Sequence, residues 1–251
     1  MLNHPTFDKL VALKLTGMAK AFSEQMALPE SQALSFAERL GLLVDREMTV
    51  RSDRRLTTRL RQAKLRLSAS VEDIDYRHPR GLDKSLILRL VSCQWVHDQY
   101  NVLITGPTGI GKTWLACALG HQACREGYTV LYLRLPRLLQ ELPIAKGDGR
   151  YPKLMASLAT TALLILDDWG LASLSDEHRR DVLELLEDRH GRGATMVTSQ
   201  FPVEHWHEAL GNPTLADAIL DRLLHNAYKM TLRGDSMRKR HAPLKTDVPA
   251  T

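Results

Sequence analysis

The chain has only three cysteines, Cys93, Cys117 and Cys124, an odd number with neither a C-x-x-C pair nor a histidine-rich neighbourhood. A disulfide framework and a zinc site of ordinary ligand spacing are therefore excluded, and the three read as reduced packing residues. No apolar run approaches the roughly 18 residues of a membrane span, and Asp8 and Lys9 break any signal-like stretch near the start. The expectation is a cytoplasmic protein with no membrane partner. Internal repeats at a solenoid period, a base-reading helix and an aromatic stacking platform are likewise missing.

What remains is the composition of an ordinary globular protein, 44% hydrophobic and 25% charged in 251 residues, enough for one large domain and one small one. A net charge of +5 points only weakly to a polyanionic partner, so the placement of the charge matters more.

The first ~70 residues contain no strand-like segment; apolar side chains recur at helical spacing instead, at Leu10, Leu13, Leu15, Met18, Ala19 and Phe22, then at Phe36, Leu40, Leu43 and Val44. This predicts a bundle of three or four helices. Ser35 followed by Glu38 is a capping-box pair, which predicts a helix start there. Between Val71 and Leu82 the sequence turns polar and turn-rich, placing a boundary between a helical domain at 1–72 and a second domain at 73–240. The tail at 241–251 lacks apolar periodicity and is expected to be disordered.

In the second domain, short apolar runs at Asn101–Thr105, Thr129–Leu133, Leu163–Leu166, Ala194–Thr198 and Tyr228–Leu232 alternate with helical patterns. That alternation predicts an α/β fold with a parallel sheet flanked by helices.

The segment Gly106-Pro107-Thr108-Gly109-Ile110-Gly111-Lys112-Thr113 satisfies G-x-x-x-x-G-K-[ST], with a strand pattern before it and a helical pattern opening at Trp114 after it. Glycines let the backbone curl until successive amides point at phosphate oxygens, and the following helix presents its positive end to the anion. Lys112 would reach the β and γ phosphates and the Thr113 hydroxyl would ligate Mg²⁺. The chemistry implied is ATP binding and hydrolysis.

Leu163-Leu164-Ile165-Leu166-Asp167-Asp168 is an apolar strand ending in two acids, where a parallel sheet presents side chains to a ligand. Asp167 would join the Mg²⁺ shell and Asp168 would orient or deprotonate the attacking water. Thr198, Ser199 and Gln200 close the next strand. One of them, with Ser199 taken into the catalytic set, would align that water; the alternative is simple strand-end capping.

With these strands together, the chain resembles the AAA+ ATPases and, in detail, the IstB family of transposition helpers, relatives of the DnaC-type helicase loaders. The segments that carry this are NVLITGPTGIGKTWLACALG, LLILDDWG, TSQFPVEHW and AILDRLLHNAYKMTLRGDSMRK. The resemblance implies a DNA-binding ATPase that acts as a homo-oligomer with ATP at subunit interfaces and recruits a transposase; a helicase loader is the alternative. It also implies that Arg222 is the arginine finger reaching a neighbour's ATP and that Arg238 contacts phosphate in its own subunit; the sequence alone reads each as a surface ion pair. Most AAA+ chains carry Asp-Glu where this one has Asp167-Asp168.

Basic residues concentrate at Arg51, Arg54, Arg55 and Arg59, continuing to Arg66, with Asp53 the single acid. Leu56, Leu60, Ala63 and Leu67 form one apolar stripe, so a helix here leaves most arginines in solvent, free to neutralise phosphates of double-stranded DNA. A plain solvated face is the equal alternative. A second basic segment, between the second strand and the acidic strand, holds Arg134, Arg137, Lys146, Arg150 and Lys153, and the resemblance places it along a DNA path. Contacts of this kind read no bases, so sequence-independent binding is expected.

Overall fold

The computed structural model describes residues 4–237. The chain divides between Thr58 and Arg59 into two compact units.

In the first unit, α1 (Pro5–Ala12) and α2 (Thr16–Ala27) precede the 28-residue α3 (Phe36–Ala63), which runs across the division. The start of α3 follows the sequence. The Ser35 amide donates to Glu38 Oε2 at 2.8 Å and the Glu38 amide to Ser35 Oγ at 3.3 Å, so each side chain satisfies a backbone donor that the first turn leaves open. No side chain adjacent in sequence caps α2. Glu47 on α3 does so instead: the Gly17 and Met18 amides donate to its Oε2 at 2.7 and 3.1 Å. Large apolar side chains of this unit stay largely in solvent, with Phe36 79% and Met48 65% exposed.

The division falls inside α3, N-terminal to the turn-rich stretch after Val71. The last turn of α3 ends with Lys64 at φ 51°, and Ala63 is fully buried.

The second unit continues with α4 (Lys84–Val91), α5 (Gln94–His97), β1 (Asn101–Thr105), α6 (Lys112–Arg125), β2 (Val130–Arg134), α7 (Leu135–Gly147), α8 (Tyr151–Thr160), β3 (Leu163–Trp169), α9 (Asp176–Arg189), β4 (Ala194–Ser199), α10 (Trp206–Leu210), α11 (Pro213–Leu224) and β5 (Ala227–Thr231). The strands form one parallel sheet in the order β2-β3-β4-β1-β5. Burial on both faces is why the central strands β1, β3 and β4 read as largely apolar runs.

Leu103, Leu164, Leu166 and Val197 point to one face and pack with leucines of α7 and α9, Trp206 and Ile219. On the other face α6 lies against the sheet. Gly120 lets it come close, since a Cβ there would stand 2.8 Å from Ile165 Cδ1. The chain leaves β1 through α6 towards β2, and leaves β4 through α10 and α11 towards β5. Their neighbouring carboxyl ends thus open a crevice where the winding reverses, the usual ligand position in such sheets. No helix among the described residues is long and apolar enough to cross a membrane.

Candidate nucleotide site

The loop between β1 and α6 takes its shape from glycines at positive φ: Gly106 at 147°, Gly109 at 83° and Gly111 at 104°. Gly106 is required twice over, because a Cβ would also lie 2.5 Å from the Leu232 carbonyl oxygen. Lys112 is buried, and its ammonium donates to the carbonyl oxygens of Gly106 at 2.7 Å and Pro107 at 2.9 Å. The ammonium is therefore held over the loop. Thr108 Oγ1 donates to Gln200 Oε1 at 2.5 Å, tying the loop to the end of β4.

Arg80, 3% exposed, braces the loop from behind, donating through Nη1 to the Ile110 carbonyl and through Nη2 to the Asp75 carbonyl, each at 3.3 Å. Burial lowers its pKa, with Asp75 opposing. Nothing in the local pattern around Arg80 marked it for this task.

Asp167 is 1% exposed and gathers three hydroxyls. Thr113 Oγ1 donates to both of its oxygens at 3.1 Å, Thr198 Oγ1 donates to Oδ1, and the Tyr132 hydroxyl donates to Oδ2. Thr113 and Asp167, expected to share a metal, are thus brought together. Tyr132 was missed from sequence. Register explains its position: Arg134 pairs with Asp167 across the β2–β3 ladder, so Tyr132, two residues back, shares that face of the sheet. Burial, then the Asp167 carboxylate, push the Tyr132 pKa well above the usual phenol value, so it remains a donor.

In regular β geometry Asp167 and Asp168 would point to opposite faces. Two residues, Asp167 and Asp168, stand between Leu166 and Trp169 on β3, whereas only Thr198 stands between Val197 and Ser199 on β4. This bulge, with Asp168 at φ 64°, re-aims the second carboxylate so that its Oδ2 accepts from Arg134 Nε at 2.6 Å.

Ser199 is fully buried; its hydroxyl donates to the Trp169 carbonyl at 2.9 Å and accepts from the Phe201 amide at 3.1 Å. Of the three residues closing β4, Thr198 and Gln200 are the two that meet the site, one on Asp167 and the other on the loop.

These groups surround a cavity of about 710 Å³, lined by Thr108, Gly109, Gly111, Lys112, Thr113, Trp114, Arg134, Asp168 and Gln200, with Arg66, Asp75, Arg80 and Met237 on its remaining walls. A nucleoside triphosphate fits this chemistry: a loop curled by three positive-φ glycines, a buried lysine, and arginines along the wall. Among the described residues no cluster of three or more acid, histidine or cysteine side chains could hold a metal by itself. One carboxylate and one hydroxyl at the mouth of a phosphate loop match Mg²⁺, which binds through few protein ligands and takes the rest from phosphates and water.

Arg222 lies at the far end of the sheet. Its carbonyl accepts from Asn101 Nδ2 at 3.0 Å, at the start of β1, so the strand separates it from its own phosphate loop by more than about 13 Å. Its guanidinium pairs with Asp221 at 2.6 Å. Arg238 and the tail at 241–251 lie outside the described residues.

The residues proposed for DNA are partly engaged elsewhere. Arg51 pairs with Glu47 at 2.7 Å and Arg54 donates to Thr16 Oγ1 at 2.8 Å. Lys146 is held by Glu177 at 2.7 Å and Asp181 at 2.8 Å, and Arg150 by Asp148 at 2.7 Å. Arg59 is half-buried and stands close to Gly127, while Arg55, Arg137 and Lys153 are exposed. All three cysteines are buried thiols; burial pushes Cys93 up to about 12 and Cys124 to about 11.

A phosphate loop after the first strand, a buried aspartate on the loop's threonine and a five-stranded parallel sheet in this order define an AAA+ P-loop protein that binds ATP. Residues 8–244 match the model of a family described as IstB-like ATP binding protein, and the chain belongs to that family. It is 57% identical over 239 residues to an insertion sequence ATP-binding protein of Sinorhizobium fredii, covering 95% of this chain and 98% of that one. Among solved structures, the fold is similar to DnaI, with a TM-score of 0.57 at 22% identity, covering 67% of this chain and 92% of that one. It is also similar to the DnaC helicase loader, with a TM-score of 0.51 at 19% identity and coverage of 62% and 93%.

Proposed function

We propose that this protein is the ATP-hydrolysing helper of a transposition system: it binds double-stranded DNA with little regard to sequence, assembles with ATP between subunits, and recruits a transposase. The observation that carries the ATPase part is the convergence of Thr113, Thr198 and Tyr132 on the buried Asp167 carboxylate beside the phosphate loop.

Loop amides and Lys112 bind the phosphates and neutralise charge on the transferred group. Thr113 and Asp167 would hold Mg²⁺, which supplies charge neutralisation between the β and γ phosphates. Tyr132 and Thr198 fix the Asp167 carboxylate so that both of its oxygens keep their orientation. Asp168 is the candidate to orient water, and Arg134 sets where its carboxylate points. Gln200, which accepts from Thr108, is a second candidate to orient that water. Arg55, Arg137 and Lys153 are exposed and would make phosphate contacts, and flexible contacts of this type position DNA without reading bases.

The transposition reading is supported by the insertion-sequence relative, matched over nearly its whole length. The helicase-loader reading is supported by the fold alone, since identity to the loader structures is below the level that carries function. A single experiment tests the main proposal: ATP turnover measured with unrelated duplexes across a salt series. Turnover should rise with every duplex, and the stimulation should fall steeply as salt increases. Stimulation confined to one sequence, or insensitive to salt, would reject it. Co-purification with a replicative helicase instead of a transposase would establish the loader reading.

A further inference from the structure

The basic run that ends α3 does not stay on one surface. Arg66, its last member, turns into the nucleotide cavity, where it lines the wall with Leu67, Thr113 and Arg134. Two neighbours mark its place. Its backbone and that of Leu67 lie against the Cys117 thiol, on the helix that opens with the phosphate loop. Its guanidinium stands beside the Tyr132 hydroxyl, close enough to oppose the upward push that burial and Asp167 exert on that group. Tyr132 in turn donates to Asp167, the carboxylate that also accepts from Thr113 of the loop.

We propose that Arg66 is a nucleotide-binding residue, contacting the terminal phosphate of ATP from within the same chain. Of the other two arginines lining the cavity, Arg134 is paired with Asp168 at 2.6 Å and Arg80 donates to the Ile110 and Asp75 carbonyls, whereas no ion pair among the described residues holds Arg66. A guanidinium that is always charged, set in a concave wall opposite a phosphate loop and lacking a carboxylate of its own, is matched by an anion with paired oxygens. Its neighbours place that anion. Thr113 and Asp167 would hold Mg²⁺, which would supply charge neutralisation to the terminal phosphates, so on this proposal Arg66 meets the outer end of the triphosphate and not the base. Arg66 follows α3 by three residues, so the same contact ties the end of that helix to the triphosphate state.

This inference rests on the ATP reading of the site and is tested so that the two can fail separately. Affinity for fluorescent ATP and ADP analogues is measured without DNA for the wild type, Lys112→Ala, Arg66→Ala and Arg66→Lys. Arg66 is exposed, so truncating it empties no core. The expected result is a loss of about tenfold in ATP affinity for Arg66→Ala, a smaller loss for ADP, and partial retention in Arg66→Lys. An unchanged ATP affinity in Arg66→Ala would overturn the inference. Equal losses for ATP and ADP would overturn its assignment to the terminal phosphate. Wild type and Lys112→Ala alike failing to bind ATP would overturn the nucleotide reading itself, and this inference with it.

Discussion

At the scale of single residues, the site is a set of oxygens arranged around one buried carboxylate. Asp167 cannot be held by water, being 1% exposed, so its orientation depends on Thr113, Thr198 and Tyr132. Removing one hydroxyl leaves the carboxylate in place and frees it to rotate. For Tyr132→Phe, the Mg²⁺ concentration giving half-maximal turnover should rise about tenfold, as for other partners that orient a metal ligand. Nucleotide binding in the presence of a chelator should be unchanged; a metal titration and a binding titration measure the two. An unaltered metal requirement would show that the phenol does no orienting. The threonine and aspartate of this arrangement were legible in sequence because each ends a recognisable strand or loop. The tyrosine was not, because its role depends on a strand register that links residues 35 apart. Ser199 shows the same limit from the other side. Three polar residues close β4 in sequence, and only the pleat and the turn after it decide which of them face the ligand.

At the scale of elements, the strands came out of the sequence nearly intact because each is a short apolar run bounded by turn residues. β3 runs on through both aspartates to Trp169, since the bulge keeps the strand paired past the point where its apolar pattern ends. The cap of α2 was not legible. Local sequence offers that helix no side-chain acceptor, and Glu47 supplies one from α3, 30 residues away. Arg51 was read as a DNA contact, yet it neutralises this capping carboxylate at 2.7 Å, and its guanidinium is the main reason that the Glu47 pKa is lowered. Glu47→Ala should therefore unravel the start of α2 and lower the melting temperature of the helical signal by a few degrees, with Arg51→Ala giving a smaller shift. Circular dichroism melting is the check, and equal melting of Glu47→Ala and wild type would remove the cap from the account.

At the scale of the whole molecule, the phosphate loop and Arg222 occupy opposite ends of the sheet. Arg222 is exposed enough to meet a neighbour, and it cannot fold back across β1 to its own phosphates. On the proposed assembly, each subunit's finger completes the next subunit's site through a head-to-tail interface. Arg222→Ala should bind ATP and fail to hydrolyse it, and Lys112→Ala should fail at both. Mixed in equal amounts, the two inactive variants should regain about a quarter of wild-type turnover, since that share of random head-to-tail interfaces carries both intact residues. Mixtures that stay inactive, or Arg222→Ala with normal turnover, would reject the shared site.

By itself the sequence determined the chemistry that is written in consecutive residues: the phosphate loop, the acidic strand, the parallel sheet and the capping box of α3. Each of these depends on φ freedom, period or hydrogen-bond reach within a few residues, so the chain states them locally. Only the tertiary structure decided which side chains complete the site. Arg80 behind the loop, Tyr132 on Asp167, Arg66 in the cavity wall and Arg134 on Asp168 come from four different segments. Their meeting is set by strand order and by helix packing across the sheet, which no local pattern records.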